Sequence, residues 1–377
     1  MKVVFRTDGS TLIGRGHIMR CLTLANILRD RAVEIHFVCR THTGHFCDLI
    51  AQLGFVVHRL PLADEQVDHF LGHACWLGAL WETDAKETHQ VIQDLGGVVD
   101  FLIVDHYAVD HRWEKALRAS ATKILVIDDL ADRVHDCDLL LDQNFFSDLS
   151  TRYDHKVPPE CVSLLGPHYA LLQPVYAKLH SQVEIWDGPV RRIFVFFGDA
   201  DTENLTALSV AAFQQLGRPD IYLDVVMTKK NSCYQDVKKA IEGWGNIRLH
   251  GPLPTLGPLM ATADLAIGAG GATVWERLCL GLPSVVISLA VNQKPVCEHL
   301  ARVGLIKYLG HMDQVQMETL RSTLSDIVCL PSNSEWARQC HAVCEGDGAP
   351  RVAEVILAEA TLLAIPGEND DQKTVCR

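Results

Sequence analysis

None of the thirteen cysteines forms a CxxC unit, so neither a zinc ribbon nor a dithiol redox motif organises this chain. An odd number of scattered thiols in 377 residues points to reduced cysteines and a cytoplasmic setting. The tightest group, "CHAVC" (Cys340, His341, Cys344), has no second pair to complete a metal site, and its cysteines are spaced to share a helix face. Positive charge is also scarce. Lys and Arg number 34 against 47 Asp and Glu, a formal charge of -13. That balance excludes broad electrostatic binding to nucleic acid or an anionic membrane, leaving only local pockets for small anions. No uninterrupted apolar run reaches the length of a membrane span. The first residues, "MKVVFRTDGS", meet Arg6 and Asp8 before a signal-peptide apolar region can form. The first glycine-rich segment fits neither common nucleotide fingerprint. Gly14 and Gly16 are followed by Met19 where a dinucleotide loop needs a third glycine, and no Gly-Lys-Ser/Thr follows.

What is present is a repeated strand–helix alternation. A hydrophobic fraction of 48% with 21% charge describes a folded chain with room for two domains. "KVVFRTD" reads as a strand and "HIMRCLTLANILRD" as a helix, with Ile18, Cys21, Leu22, Ala25 and Leu28 on one face. "VEIHFVCR", "FVVHRL", "VDFLIVDHY" and "KILVIDDLADR" continue as strands between helical segments. Continuous apolar runs of this kind suit parallel strands covered by helices on both faces. The pattern weakens from Cys137 to about Leu179, where prolines collect, and restarts at "RRIFVFFGDAD". The expected fold is α/β, with two Rossmann-like domains facing a cleft. They span 1–175 and 190–345, joined by a linker near 170–190, and a C-terminal helix occupies 346–365.

Ligands of such sheets collect at strand carboxyl ends, and both halves place polar residues there. In "DGSTLIGRGH", Gly14 and Gly16 let a ligand approach the backbone, and Asp8 ends the strand. His17 is the side chain of this loop best matched to proton transfer, and the helix start favours its neutral, basic form. Alternatively, the glycines make a tight turn and His17 caps the helix. In "IGAGGATVWERL", Gly270, Gly271 and Thr273 offer room and donors to a phosphate. Glu276 suits a ribose diol, or simply supports the helix dipole. Asn292 and Gln293 are placed for sugar hydroxyls, with Arg277 and Lys294 as weaker candidates. Asp105 and Tyr107 follow one apolar strand and Asp128–Arg133 another. The residue pattern leaves open which of these two loops touches a ligand.

Taken in order, "RTDGSTLIGRGHIMRCLTLA", "VDHYAVDHRWE", "IDDLADRVHDCDLLLDQN", "GPHYALLQPVY" and "GAGGATVWERLCLGLPSVVISLAVNQ" resemble one family. It is that of the UDP-2,4-diacetamido-2,4,6-trideoxy-β-L-altropyranose hydrolases of pseudaminic acid biosynthesis. The resemblance implies a glycosyltransferase-B-like fold, with UDP in the second domain and the hexose in the first. It implies His17 as the base for water attack at the anomeric carbon, with inversion and release of UDP. It implies no metal or organic cofactor and no partner besides UDP-sugar and water, in a pathway serving flagellin glycosylation. A monomer is expected because the cleft is complete in one chain. One loop departs from the family's "FGG.DP.N.T": in "FVFFGDADTENLT" Asp199 replaces a glycine and Thr202 a proline. A carboxylate facing diphosphate is unfavourable, so Asp199 is expected to turn away. A UDP-hexosamine transferase of the same architecture is the main alternative, but the first half has no basic amphipathic helix for a lipid acceptor. A UDP-N-acetylhexosamine 2-epimerase and a noncatalytic nucleotide-sugar binder are further alternatives.

Overall fold

The computed structural model describes residues 1–63, 73–198, 201 and 203–364. Asp199, Thr202 and residue 365 of the expected last helix lie outside the described residues. Strands β1 (Lys2–Thr7), β2 (Glu34–Arg40), β3 (Val56–Leu60), β4 (Val99–Asp105), β5 (Ala121–Ile127), β6 (Leu139–Asp142) and β7 (Val162–Leu165) form one parallel sheet. Its order is β3-β2-β1-β4-β5-β6-β7. A second parallel sheet contains β8 (Arg192–Phe196), β9 (Tyr222–Val226), β10 (Ile247–His250), β11 (Leu265–Ala269), β12 (Ser284–Ser288) and β13 (Lys307–His311), in the order β10-β9-β8-β11-β12-β13. The central strands are buried on both faces, as the residues Phe101 to Val104 illustrate.

β6 and β7 lie within the stretch whose sequence pattern is weak. At four residues each they are too short to display a period. Between the sheets, the helix Pro174–His180 buries Tyr176 at 1% exposure and packs against the helices Gly257–Met260 and Thr273–Cys279. The last helix, Gly348–Ala364, crosses back. Its Ala349, Val352, Ala353 and Ile356 join Ile18, Leu22 and Leu28 in the core of the first sheet. Two crossings therefore tie the domains together.

In each sheet the strand order reverses once, between β1 and β4 and between β8 and β11. Loops leaving neighbouring strands in opposite directions open a crevice at such a point. The two glycine-rich segments follow β1 and β11.

Candidate active site

β1 pairs with β4 so that Thr7 stands beside Asp105. The loop after β1 runs into the helix Gly16–Asp30, which carries His17 at its start and Arg20 about one turn on. Sheet register and one helical turn thus bring three groups together. Asp105 Oδ1 lies 2.6 Å from His17 Nδ1, while Arg20 Nε donates to Asp105 Oδ2 at 2.7 Å and Arg20 Nη2 to Oδ1 at 2.6 Å. Asp105 is fully buried; His17 keeps 8% exposure. Burial by itself pushes the Asp105 carboxyl up, but the Arg20 charge and the hydrogen bonds from Arg20 and His17 hold it far below the usual carboxylate range. A permanent carboxylate at Nδ1 selects the tautomer with hydrogen there, leaving Nε2 to accept a proton.

Asp129, after β5, completes the cluster. It receives Arg20 Nη1 at 2.7 Å, Asn144 Nδ2 at 2.8 Å and the Tyr107 hydroxyl. The Tyr107 ring meets the His17 ring edge-on, centroids 4.5 Å apart. Asp105 and Tyr107 therefore surround His17. Asp128 turns inward, accepting the Ala131 backbone N–H and pairing with Arg133.

Asp8 is also consumed within the protein. Arg6 Nη1 lies 2.9 Å from Asp8 Oδ2, His106 Nε2 lies 3.2 Å from it, and the Arg40 backbone N–H donates to Oδ1 at 2.6 Å. These contacts fasten the ends of β1, β2 and β4. Burial pushes Asp8 up, yet Arg6, His106 and His42 hold it well below its ordinary range. Gly14 has φ +83, which a side chain adopts only with strain. Space beside both Gly14 and Gly16 is open, with no atom within 4 Å of an added Cβ.

At the second switch point, Gly270 and Gly271 follow β11. A Cβ on Gly270 would meet Cys297 Sγ at 2.3 Å, whereas one on Gly271 would come only within 3.4 Å of Gln293 Nε2. Gly270 is thus required by packing; Gly271 faces room, with the Gln293 amide beside it. Gln293 Oε1 accepts the Leu289 N–H at 2.8 Å, which orients that amide. Asn292 is half-buried in the short turn Val291–Gln293. Arg277 is buried and donates from Nη2 to the Ala269 carbonyl at 2.8 Å, so it braces the glycine turn from behind.

Thr273 and Glu276 occupy the first turn of the helix Thr273–Cys279. Tyr176 stands beside Glu276 and favours its ionised form, while Glu276 Oε2 is buried with no hydrogen-bond partner among the described residues. Burial drives its carboxyl up to about 7, against the opposing pull of Tyr176, Arg277 and Arg15. Arg15 belongs to the first glycine loop, so its charge acting on Glu276 shows the two loops facing each other.

The sequence-level candidates fall into two groups: His17, Asp105 and Tyr107 on one side, and Gly271, Gln293, Thr273 and Glu276 on the other. Asp8 lies in the buried network beneath the first group. Sequence reasoning missed Arg20, Tyr176 and Trp76, and reached Asp129 only as part of the Asp128–Arg133 loop. Arg20 had a signal, standing one helical turn after His17. Tyr176 had none, being 100 residues from the carboxylate it touches. Among the described residues, no group of three or more His, Cys, Asp or Glu is placed to hold a metal ion. Nor is any helix among them long and apolar enough to cross a membrane.

Two parallel α/β sheets whose switch-point loops face one another define a glycosyltransferase-B-like protein. Acinetobacter baumannii MurG superposes with a TM-score of 0.67 at 16% identity, covering 95% of this chain and 99% of that one. The calicheamicin glycosyltransferase CalG4 gives 0.61 at 14%, covering 97% and 99%. Within that class, the chain is similar to the UDP-2,4-diacetamido-2,4,6-trideoxy-β-L-altropyranose hydrolase of Campylobacter jejuni, 26% identical over 308 residues. That alignment spans 81% of this chain and 97% of the relative, which bears out the resemblance read from the motifs. The spore coat polysaccharide biosynthesis protein SpsG of Bacillus subtilis is 27% identical over 195 residues, 51% of this chain and 57% of its own length. No protein-family model matches the chain.

Proposed function

We propose that this protein hydrolyses UDP-2,4-diacetamido-2,4,6-trideoxy-β-L-altropyranose to UDP and 2,4-diacetamido-2,4,6-trideoxy-L-altrose in pseudaminic acid biosynthesis. The observation that carries the chemistry is the 2.6 Å contact of His17 Nδ1 with Asp105, which dedicates Nε2 to a proton from water. The similarity to the Campylobacter jejuni hydrolase supports the substrate.

In this reading the first domain takes the hexose and the second the UDP. Water oxygen bonds to the anomeric carbon from the face opposite UDP, giving inversion. The carbon–oxygen bond to the β-phosphate breaks with its electron pair on UDP, and the water proton passes to His17 Nε2. UDP is a good leaving group, so no second carboxylic acid is required to protonate it, unlike in ordinary glycosidases. Backbone N–H groups around Gly271, with Gln293, meet charge growing on the diphosphate. Glu276 accepts the ribose hydroxyls. Asp8, Gly14 and Gly16 shape the sugar side, Thr273 adds a hydroxyl on the nucleotide side, and Asn292 borders the cleft. We read the protein as a cytoplasmic monomer serving flagellin glycosylation and binding no nucleic acid. No cofactor enters the scheme.

Hydrolysis in ¹⁸O-labelled water without an acceptor tests the reaction. Label in the free sugar supports attack at carbon; label in the phosphate rejects it. Failure to release UDP until a sugar or lipid acceptor is added would favour the transferase alternative.

Glu276→Gln is expected to raise KM roughly 10- to 100-fold with kcat little changed. It weakens charge-assisted hydrogen bonds made equally in ground and transition states. A pH effect accompanies it. With the empty-site carboxyl at about 7, a ligand that needs the ionised form must displace a proton at lower pH. Affinity for uridine, which has no titrating phosphate, therefore rises about tenfold from pH 6 to pH 8. The glutamine variant shows no such rise. Calorimetric titration across that range checks both statements, and a flat wild-type profile removes Glu276 from the ribose.

A further inference from the structure

Beside the His17 loop lies a cavity of about 240 Å³ whose walls include Ser10, Leu12, Ile13, His42, Leu62 and Trp76. Leu12 and Leu62 are 69% and 50% exposed, an unusual arrangement for two leucines facing one hollow. The loop holding Leu12 is firmly built. Ser10 Oγ accepts the Leu12 and Ile13 N–H groups at 3.2 and 3.0 Å, and the Gly14 N–H donates to the Ser10 carbonyl at 2.8 Å. Thr11 anchors the loop to the segment after β2 through the Thr43 carbonyl.

Trp76 connects this cavity to the candidate base. Its ring stacks on Tyr107 with centroids 5.7 Å apart, and its centroid stands 6.4 Å from that of His17. A group attached to the reacting hexose can therefore enter the cavity while the anomeric carbon stays at His17. At about 240 Å³ the space falls below the roughly 300–1,000 Å³ of sites that take a whole small ligand. It suits one substituent. Leucine and tryptophan side chains match a methyl group, and the Ser10 and His42 side of the wall matches a hydrogen-bonding head. An N-acylamino group has both.

Building on the hydrolase reading above, we propose that this cavity receives an N-acyl substituent of the hexose, and that Trp76 and Leu12 set the preference for its methyl group. The test uses non-hydrolysable C-glycosidic analogues of the UDP-sugar, with one acetamido group at a time shortened to formamido. Calorimetric titration of wild-type protein is expected to show about tenfold weaker binding at one of the two positions, the scale of one methyl group in an apolar pocket. Trp76→Ala and Leu12→Ser should each reduce that discrimination below about threefold while affinity for UDP stays unchanged. Leu12→Ser alters an exposed side chain, so it remains informative if Trp76→Ala disturbs the fold. Equal binding of acetamido and formamido analogues by wild type, or undiminished discrimination in both variants, would overturn the pocket. Because the analogues report binding alone, discrimination without UDP release from the true sugar nucleotide would sustain the pocket and reject the hydrolase reading.

Discussion

His17→Ala is expected to lower kcat by about 10²- to 10⁴-fold, the range contributed by a positioned general base. The affinity for UDP should stay within about twofold, since the nucleotide is assigned to the other domain and a direct contact is worth more than that. This separation is the informative part. A capping or folding role for His17 would show as lost stability or weakened UDP binding. A base role removes turnover and leaves UDP binding intact. His17 is 8% exposed and packs against the Tyr107 ring, so alanine also costs some stability, while Asp105 keeps its ion pair with Arg20. Lost turnover in folded, UDP-binding protein is the mark of the base. Single-turnover rates measured beside UDP titrations decide the matter, and unchanged turnover would take His17 out of the reaction.

The second large effect concerns Asp105, which acts through the histidine. Asp105→Asn keeps the side chain's volume but removes the charge and the fixed acceptor at His17 Nδ1. An amide can present its NH₂ to that nitrogen, shifting the ring hydrogen to Nε2 where the base is needed. In hydrolases with an orienting carboxylate, the same change costs about 10⁴ in rate, and a loss of about 10³ or more in kcat is expected here. A stability effect should accompany it. Arg20, 6% exposed, would lose the Asp105 charge and the acceptor at Oδ1, keeping the amide oxygen in the place of Oδ2 and the carboxylate of Asp129. Breaking a buried ion pair costs roughly 3–5 kcal/mol when no partner remains, so the retained Asp129 should hold the loss near or below the lower end. A urea melt and a UDP titration separate this from catalysis. Destabilisation with full turnover in the surviving folded protein would make Asp105 structural only. Loss of turnover with KM preserved is the expected result.

Much of the architecture is legible in the order of the amino acids. Continuous apolar strands alternating with amphipathic helices announce parallel sheets, because the covering of both faces leaves its mark in each short segment. The same holds for the glycine loops, where a strand ends and a helix begins within a few residues. The weak stretch before Pro174 hid β6 and β7, since four residues in a strand buried among neighbours carry no alternation. The path of the last helix was hidden as well. Its apolar face requires a partner but does not specify which domain supplies it.

Roles within the site divide along the same line. His17 and Glu276 stand out locally, one beside glycines at a helix start and the other one turn past a glycine loop. By contrast, Asp105 reaches His17 across 88 residues, and only the β1–β4 pairing brings them into contact. Tyr176 reaches Glu276 because the chain crosses between domains, and Trp76 reaches His17 because the loops after different strands open onto one crevice. The sequence by itself determined the elements and the local chemistry at strand ends, since those depend on a residue's immediate neighbours. Which carboxylate meets His17, which tyrosine stands beside Glu276 and where the apolar hollow lies were decided by strand order and domain crossing. Those depend on the packing of distant segments, for which local periodicity carries no code.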